Sequence, residues 1–215
     1  MQGITTRRGA DELVSSGKVF INGKKAVLGD KVGPKDKVEV KNQKEIKYFY
    51  YVYNKPVGIA TEDIPDNLKN VGTPVFPIGR LDKGSHGLLI LTNDGRITDR
   101  MLNPKFDHEK EYVVKVKGKL RNNFKDKMEA GVNIEGYKTK PCKVTIINEN
   151  TFRVTLTEGK KHQIRRMCVA LFQEVEDLKR VRVMNIELGK LPYNSVREIK
   201  GAELTSFLNQ ALRQS

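Results

Sequence analysis

Cysteine, histidine and tryptophan are scarce in this chain: two, three and none in 215 residues. Cys142 and Cys168 stand far apart and form no C-x-x-C pair, which argues against a disulfide scaffold and for a reducing compartment. The histidines are His86, His108 and His162. HEKEY at His108 has no second histidine four residues on, and Pro141-Cys142 is followed by Thr145 where a deaminase would carry its next cysteine. No metal site is expected from these residues. GSHG, NDG and EGKK complete neither G-x-x-x-x-G-K-[ST] nor G-x-G-x-x-G, so nucleotide-driven chemistry is unsupported. No apolar run approaches the ~20 residues that span a bilayer. The N-terminus also lacks the apolar core of a signal peptide, and a cytoplasmic protein away from membranes is expected.

Acidic residues are in deficit too. Forty Lys+Arg stand against 26 Asp+Glu, a net charge of +14 with a pI near 9.7. That surplus favours a polyanionic partner, because each phosphate neutralised releases condensed counterions. Basic residues interleave with ordered-looking segments, which fits nucleic acid better than a solubilising tail.

The pattern along the chain predicts a small basic unit over 1–42, a polar linker at 43–47 and a larger domain over 48–215. In the first, ADELVSSG reads as a short helix closed by glycine, VFINGKKA as a strand with a tight Asn22-Gly23 turn, and KVEV as a further strand. Arg7, Arg8, Lys18, Lys24 and Lys25 make it basic. In the second, YFYYVYNK, GLLILT, EYVVKVKG, KPCKVTIIN, TFRVTLTEG and VRVMNIEL read as strands. ITDRML, RNNFKDKMEAGV and AELTSFLNQAL read as helices. KKHQIRRMCVALF is a helix whose buried face carries Ile164, Met167, Cys168 and Leu171. Strands outnumber helices without regular alternation, which favours α+β with a mixed, largely antiparallel sheet.

Asp82 is the carboxylate to explain. It stands between Arg80 and Lys83, just ahead of the apolar GLLILT. At the rim of a core its charge is penalised by desolvation unless a cation is fixed beside it. Arg165, beside buried Ile164 at the start of a helix, can supply one. The alternative is a structural aspartate in a turn.

GRLDKGSHGLLILTNDG resembles the signature of the ribosomal-RNA pseudouridine synthases of the RsuA type, with their aspartate at Asp82. HEKEYVV resembles the family's K-x-Y segment and places its tyrosine at Tyr112. EGKKHQIRRMC resembles the third block and places the aspartate-pairing arginine at Arg165. YNKPVGIA and VRVMNIELGKLP also fit, and the wording is closest to the F-type branch of the large-subunit enzymes. TRRGADELVSSGKVFINGKKAVLGDKVGPKD is similar to the second half of the αL RNA-binding motif of a small-subunit ribosomal protein. Only MQGIT stands ahead of it, where the family has a further helix, so the module is read as truncated.

The resemblance implies a fold and a reaction. The fold is the α+β catalytic domain of a pseudouridine synthase. In the reaction a uridine base is detached, turned and rejoined through carbon, with no atom gained and no cofactor required. Asp82 acts on the sugar or the base as nucleophile, or on the ribose as base; these alternatives stay open. Arg165 holds it ionised and Tyr112 offers the flipped uracil a face and a hydroxyl. Arg80 fills the vacated stack or grips a phosphate, and Lys110, Lys160, Lys161 and Arg166 contact phosphates. The expected partner is large-subunit ribosomal RNA or its precursor, with small-subunit RNA or transfer RNA as alternatives, and the protein is expected to act as a monomer. The reading from another class is a non-catalytic RNA-binding or ribosome-assembly protein.

Overall fold

A computed structural model describes residues 7–41, 47–63, 65 and 74–212. The chain divides into two compact units, Met1–Tyr48 with Asp94–Arg96, and Phe49–Asn93 with Ile97–Ser215. Apart from Lys47, the expected linker lies outside the described residues.

The small unit holds α1 (Arg7–Ser15), β1 (Val19–Ile21), β2 (Lys24–Lys25) and β3 (Val38–Val40). Gly17 ends the helix at φ 68, which a residue with a Cβ adopts only at a cost. Asn22 and Gly23 both take positive φ, 50 and 80, and close the β1–β2 hairpin as the Asn-Gly pair predicts. β3 pairs antiparallel along the other edge of β1.

The large unit runs β4 (Tyr50–Lys55), β5 (Phe76–Ile78), β6 (His86–Thr92), α2 (Thr98–Leu102), β7 (Lys110–Val116), α3 (Phe124–Glu129), β8 (Asn133–Ile134) and β9 (Tyr137–Lys138). It continues with β10 (Lys143–Asn148), β11 (Thr151–Leu156), α4 (Gln163–Ala170), β12 (Val175–Val183), β13 (Ile186–Glu187), β14 (Val196–Glu198) and α5 (Gly201–Leu212). Among the described residues nine strands make one sheet, ordered β10-β11-β7-β12-β6-β4-β14, with β13 on β12 and β5 on β6. Every pairing in it is antiparallel except β6 with β12. The fold is therefore the mixed, largely antiparallel α+β sheet that the strand-rich pattern implies.

One core lies under β7, β10, β11 and β12, where Phe152, Met128, Met167 and Cys168 are essentially inaccessible to water. Ile164, Met167 and Cys168 of α4 are buried there, as their spacing predicts; Leu171 is only half-buried. A second cluster joins Tyr51, Tyr53, Leu89 and Leu91 of β4 and β6. VRVMNIEL is not one strand. Met184 takes φ 52, ends β12 and turns the chain back into β13. The short β8–β9 hairpin, turned by Glu135 and Gly136 at positive φ, was not legible as strand at all.

The parallel seam matters for function. Gly87 sits at φ 101 where a Cβ would lie 2.3 Å from the Arg180 carbonyl oxygen, so only glycine lets β6 and β12 approach this closely. Asp82 lies in the turn that feeds this seam.

Candidate active site

The turn around Asp82 is held by its backbone. Leu81 is buried, and the Thr61 hydroxyl bonds it twice, donating to its carbonyl at 2.7 Å and accepting from its N–H at 3.0 Å. The Gly58 N–H donates to the Lys83 carbonyl at 2.7 Å, and the Ser85 N–H to that of Asp82 at 2.9 Å. Arg165 donates to the Gly84 carbonyl at 2.7 Å. Residues from three separate segments thus fix the peptide on both sides of Asp82.

The carboxylate itself is open, its side chain 41% exposed, with Oδ1 3.3 Å from Nε2 of His162. His162 precedes α4 in the left-handed region, at φ 52 and ψ 29. The loop ahead of it is anchored on buried Glu158. Glu158 accepts from the Gln163 amide at 2.6 Å, the Lys140 N–H at 3.0 Å and the Tyr137 hydroxyl at 2.5 Å. Gln163 in turn accepts from the Lys160 N–H at 2.9 Å.

Asp82 borders a cavity of about 590 Å³ that Arg80, Lys110, Tyr112, His162 and Arg180 also line. Strand register explains part of this set. Gly87, Arg180 and Tyr112 are aligned across β6, β12 and β7, and Lys110 lies two residues from Tyr112 on one strand. Cross-strand neighbours and i, i+2 positions share a face of a sheet. Arg180 is 4% exposed, and its Nε donates to the Leu88 carbonyl at 2.7 Å. Lys110 donates to the His108 carbonyl at 3.2 Å. Burial, and then the Arg180 charge, press its pKa down to about 8. Lys55 is wholly buried and donates to the carbonyls of Ile59 at 2.7 Å and Pro56 at 3.0 Å. Burial lowers its pKa, Asp82 opposes that, and Arg180 adds to it. The open Asp82 carboxylate thus stands beside a cationic interior.

Several sequence expectations need correction. The desolvation argument for Asp82 does not apply, since water reaches the carboxylate. The side chain beside its carboxylate in the structure is His162 and not Arg165, whose guanidinium is taken by the carbonyls of Gly84 and, at 3.4 Å, Val175. His162 flanks the turn from the helix cap, while Arg165 emerges where the Gly84 carbonyl faces it. Lys110 is half-buried and lines the cavity instead of standing on the open surface. Arg166 is committed to the Glu135 carboxylate at 2.7 Å and the Ile134 carbonyl at 3.2 Å. Arg80, Lys160 and Lys161 are exposed at the cavity margin, with the Lys160 ammonium 4.5 Å from the centre of the Tyr137 ring. Lys24 and Lys25 are exposed and Lys18 is half-buried. Arg7 and Arg8 lie on α1, and their side chains are outside the described residues.

Sequence reasoning gave no role to Lys55, Thr61, Glu158, His162 or Arg180. A lysine inside the aromatic strand YYVYNK was the one local signal, since burial there requires acceptors.

Residues 49–170 match the family model described as RNA pseudouridylate synthase. The chain belongs to the RNA pseudouridylate synthase family. It is 44% identical over 213 residues to the dual-specificity RNA pseudouridine synthase RluF of Escherichia coli K12, covering 94% of this chain and 73% of that protein. It is 36% identical to the ribosomal large subunit pseudouridine synthase B of Bacillus subtilis, covering 94% and 90%. A crystal structure of a pseudouridylate synthase superposes with a TM-score of 0.69 at 26% identity, covering 96% of this chain and 94% of that one. Among the described residues no helix is long and apolar enough to cross a membrane.

Proposed function

We propose that this protein isomerises a uridine of large-subunit ribosomal RNA, or of its precursor, to pseudouridine in the cytoplasm, acting as a monomer through Asp82. The observation that carries this reading is an open carboxylate on an immobilised turn, at the mouth of a cavity that Tyr112 also lines. Such a cavity suits a flipped base, whose extrusion costs a few kcal/mol. Tyr112 offers the uracil an aromatic face. Arg80 and the exposed Lys160 and Lys161 line the approach, where cations position a phosphate backbone without reading sequence. The small unit presents Lys24 and Lys25 as a further RNA contact. His162 and Arg165 act on the Asp82 turn at two points, the first at the Asp82 carboxylate and the second at the Gly84 carbonyl two residues on.

Transcripts tritiated at uracil C5 test the reaction, because isomerisation releases that tritium. Wild-type protein releases it, and Asp82→Asn does not while still binding RNA. Turnover near the wild-type level in that variant would remove Asp82 from the mechanism. Carbodiimide adduct mapping then identifies the uridine. Transfer RNA belongs in the same assay, since one of the similar proteins is named for dual specificity.

A further inference from the structure

Two cations of the cavity have donors that the fold does not use. Arg180 is 4% exposed, yet its only protein acceptor among the described residues is the Leu88 carbonyl, which takes Nε. Among the described residues its terminal amino groups meet no protein acceptor, and Arg180 lines the cavity. Lys110 gives one bond to the His108 carbonyl and has no other acceptor among the described residues. A buried guanidinium and a half-buried ammonium that line one cavity repel each other. Such an arrangement suits an anion that forms on the substrate. Asp82 is the nearby carboxylate, but it is held at the mouth beside His162. The other ionisable groups on this cavity are Glu62 and Arg80, Tyr112 on β7 with His108 ahead of it, and Glu158, Lys160, Lys161 and His162 from the β11–α4 loop. Glu158 is already bonded to Tyr137, Lys140 and Gln163.

We propose that Lys110 and Arg180 form a cationic floor that holds the uracil ring as an anion between its detachment from the ribose and its return. This rests on the proposed reaction with Asp82 acting on the sugar, as nucleophile at C1′ or as base toward the ribose. When the C1′–N1 bond breaks, its electron pair stays on N1 and spreads to O2 and O4. The deficit at C1′ is met by a bond from the Asp82 carboxylate or by loss of a ribose proton to it. The ring turns, and C5 uses a pair to bond C1′ as the bond or proton on Asp82 is returned. The C5 proton passes to water and N1 takes one up from water. Atoms and charge balance, and neither cation is consumed. Donors fixed in a site shielded from water stabilise such developing charge more than water does, because they need not reorganise. A flexible ammonium beside a fork of guanidinium donors can also follow two carbonyl oxygens as the ring turns.

The Lys110 pKa of about 8 supplies a readout. Its cationic form is present below that value and is lost as the pH rises through it. Arginine at the same place stays charged. The test is single-turnover tritium release at saturating RNA, across pH, for wild type, Lys110→Met and Lys110→Arg, with thermal unfolding and RNA affinity measured alongside. Lys110→Met is expected to slow release by about 10²–10³-fold, the loss typical of one transition-state donor, with RNA affinity unchanged. Lys110→Arg is expected to restore most of the rate and to abolish the alkaline decline expected of wild type as Lys110 loses its proton. A methionine variant as fast as wild type overturns the floor. So does a defect confined to RNA affinity, which would make Lys110 a phosphate contact, or an alkaline decline unchanged in the arginine variant. A wild type that releases no tritium from any transcript would instead overturn the proposed reaction.

Discussion

Replacing Thr61 by valine removes one oxygen and nearly keeps the side-chain shape. That oxygen makes both bonds to Leu81, at 2.7 Å and 3.0 Å, immediately ahead of Asp82. Thr61 and Leu81 are 4% and 8% exposed, so water cannot readily replace them. A buried backbone group left without a partner costs about 1–3 kcal/mol, and two are orphaned here, giving a loss of about 2–4 kcal/mol if the turn relaxes in part. For a chain of this size that is a fall in Tm of roughly 5–15 °C. Relaxation moves the Asp82 peptide, and a displacement of about 1 Å at a reacting group costs on the order of 10²-fold in rate.

Thr61→Ser separates the hydroxyl from the rest of the side chain. It keeps both bonds and gives up one methyl, worth about 0.8 kcal/mol. Tritium release under saturating RNA should therefore fall by about 10²-fold in the valine variant and by only a few-fold in the serine variant, with KM unchanged in both. Thr61 is a positioning residue on this reasoning, since it touches the turn and not the RNA. A valine variant that unfolds early but turns over at the wild-type rate would refute it, as would a serine variant as slow as the valine.

Gly87→Ala forces a Cβ to within 2.3 Å of the Arg180 carbonyl oxygen at φ 101, and should cost at least ~3 kcal/mol in urea unfolding. Arg165→Ala removes the bond to the Gly84 carbonyl; the fold should persist while the rate falls and amide exchange near Gly84 quickens. Burial opposes ionisation of Glu111, but the bonds from Arg182 and Arg153 outweigh it and hold its pKa below the usual range. Its stabilisation is therefore present above the unfolded value near ~4.3 and is lost as the pH falls through the lower folded value. The Tm gap between wild type and Glu111→Gln should close on acidification. Burial pushes the thiols of Cys142 and Cys168 up to about 11 and about 12, so neither should react with maleimide at neutral pH until urea unfolds the chain.

Local pattern carried much of the architecture. The Asn22-Gly23 hairpin, the stop of α2 at Asn103 and the buried face of α4 all depend on residues within a turn or two of one another. The errors lie where a single backbone angle decides. Met184 at φ 52 converts an expected strand into a hairpin, and no apolar alternation signals that a methionine will take the left-handed region. His162 is the same case. Its φ of 52 sets the imidazole beside Asp82, whereas helical periodicity alone drew attention to Arg165.

The cationic floor was hidden for a different reason. That Lys110 and Tyr112 share a face is readable from their spacing, since alternate residues of a strand point the same way. That Arg180 joins them is not, because it depends on how β12 registers against β7 and β6. Arg180 lies opposite Tyr112 on one side and Gly87 on the other, and a register shift follows directly between Arg180 and Arg182. A slip of one residue would turn the Arg180 side chain to the opposite face and bring a neighbour's into the cavity. The glycine at 87 resists that slip, since its missing Cβ is what lets β6 close on the Arg180 carbonyl. Asp82 and the floor are thus fixed by one seam. The turn enters β6 at His86, one residue before the glycine, and the guanidinium leaves β12 beside it. A change at this seam should move the reacting carboxylate and its cations together.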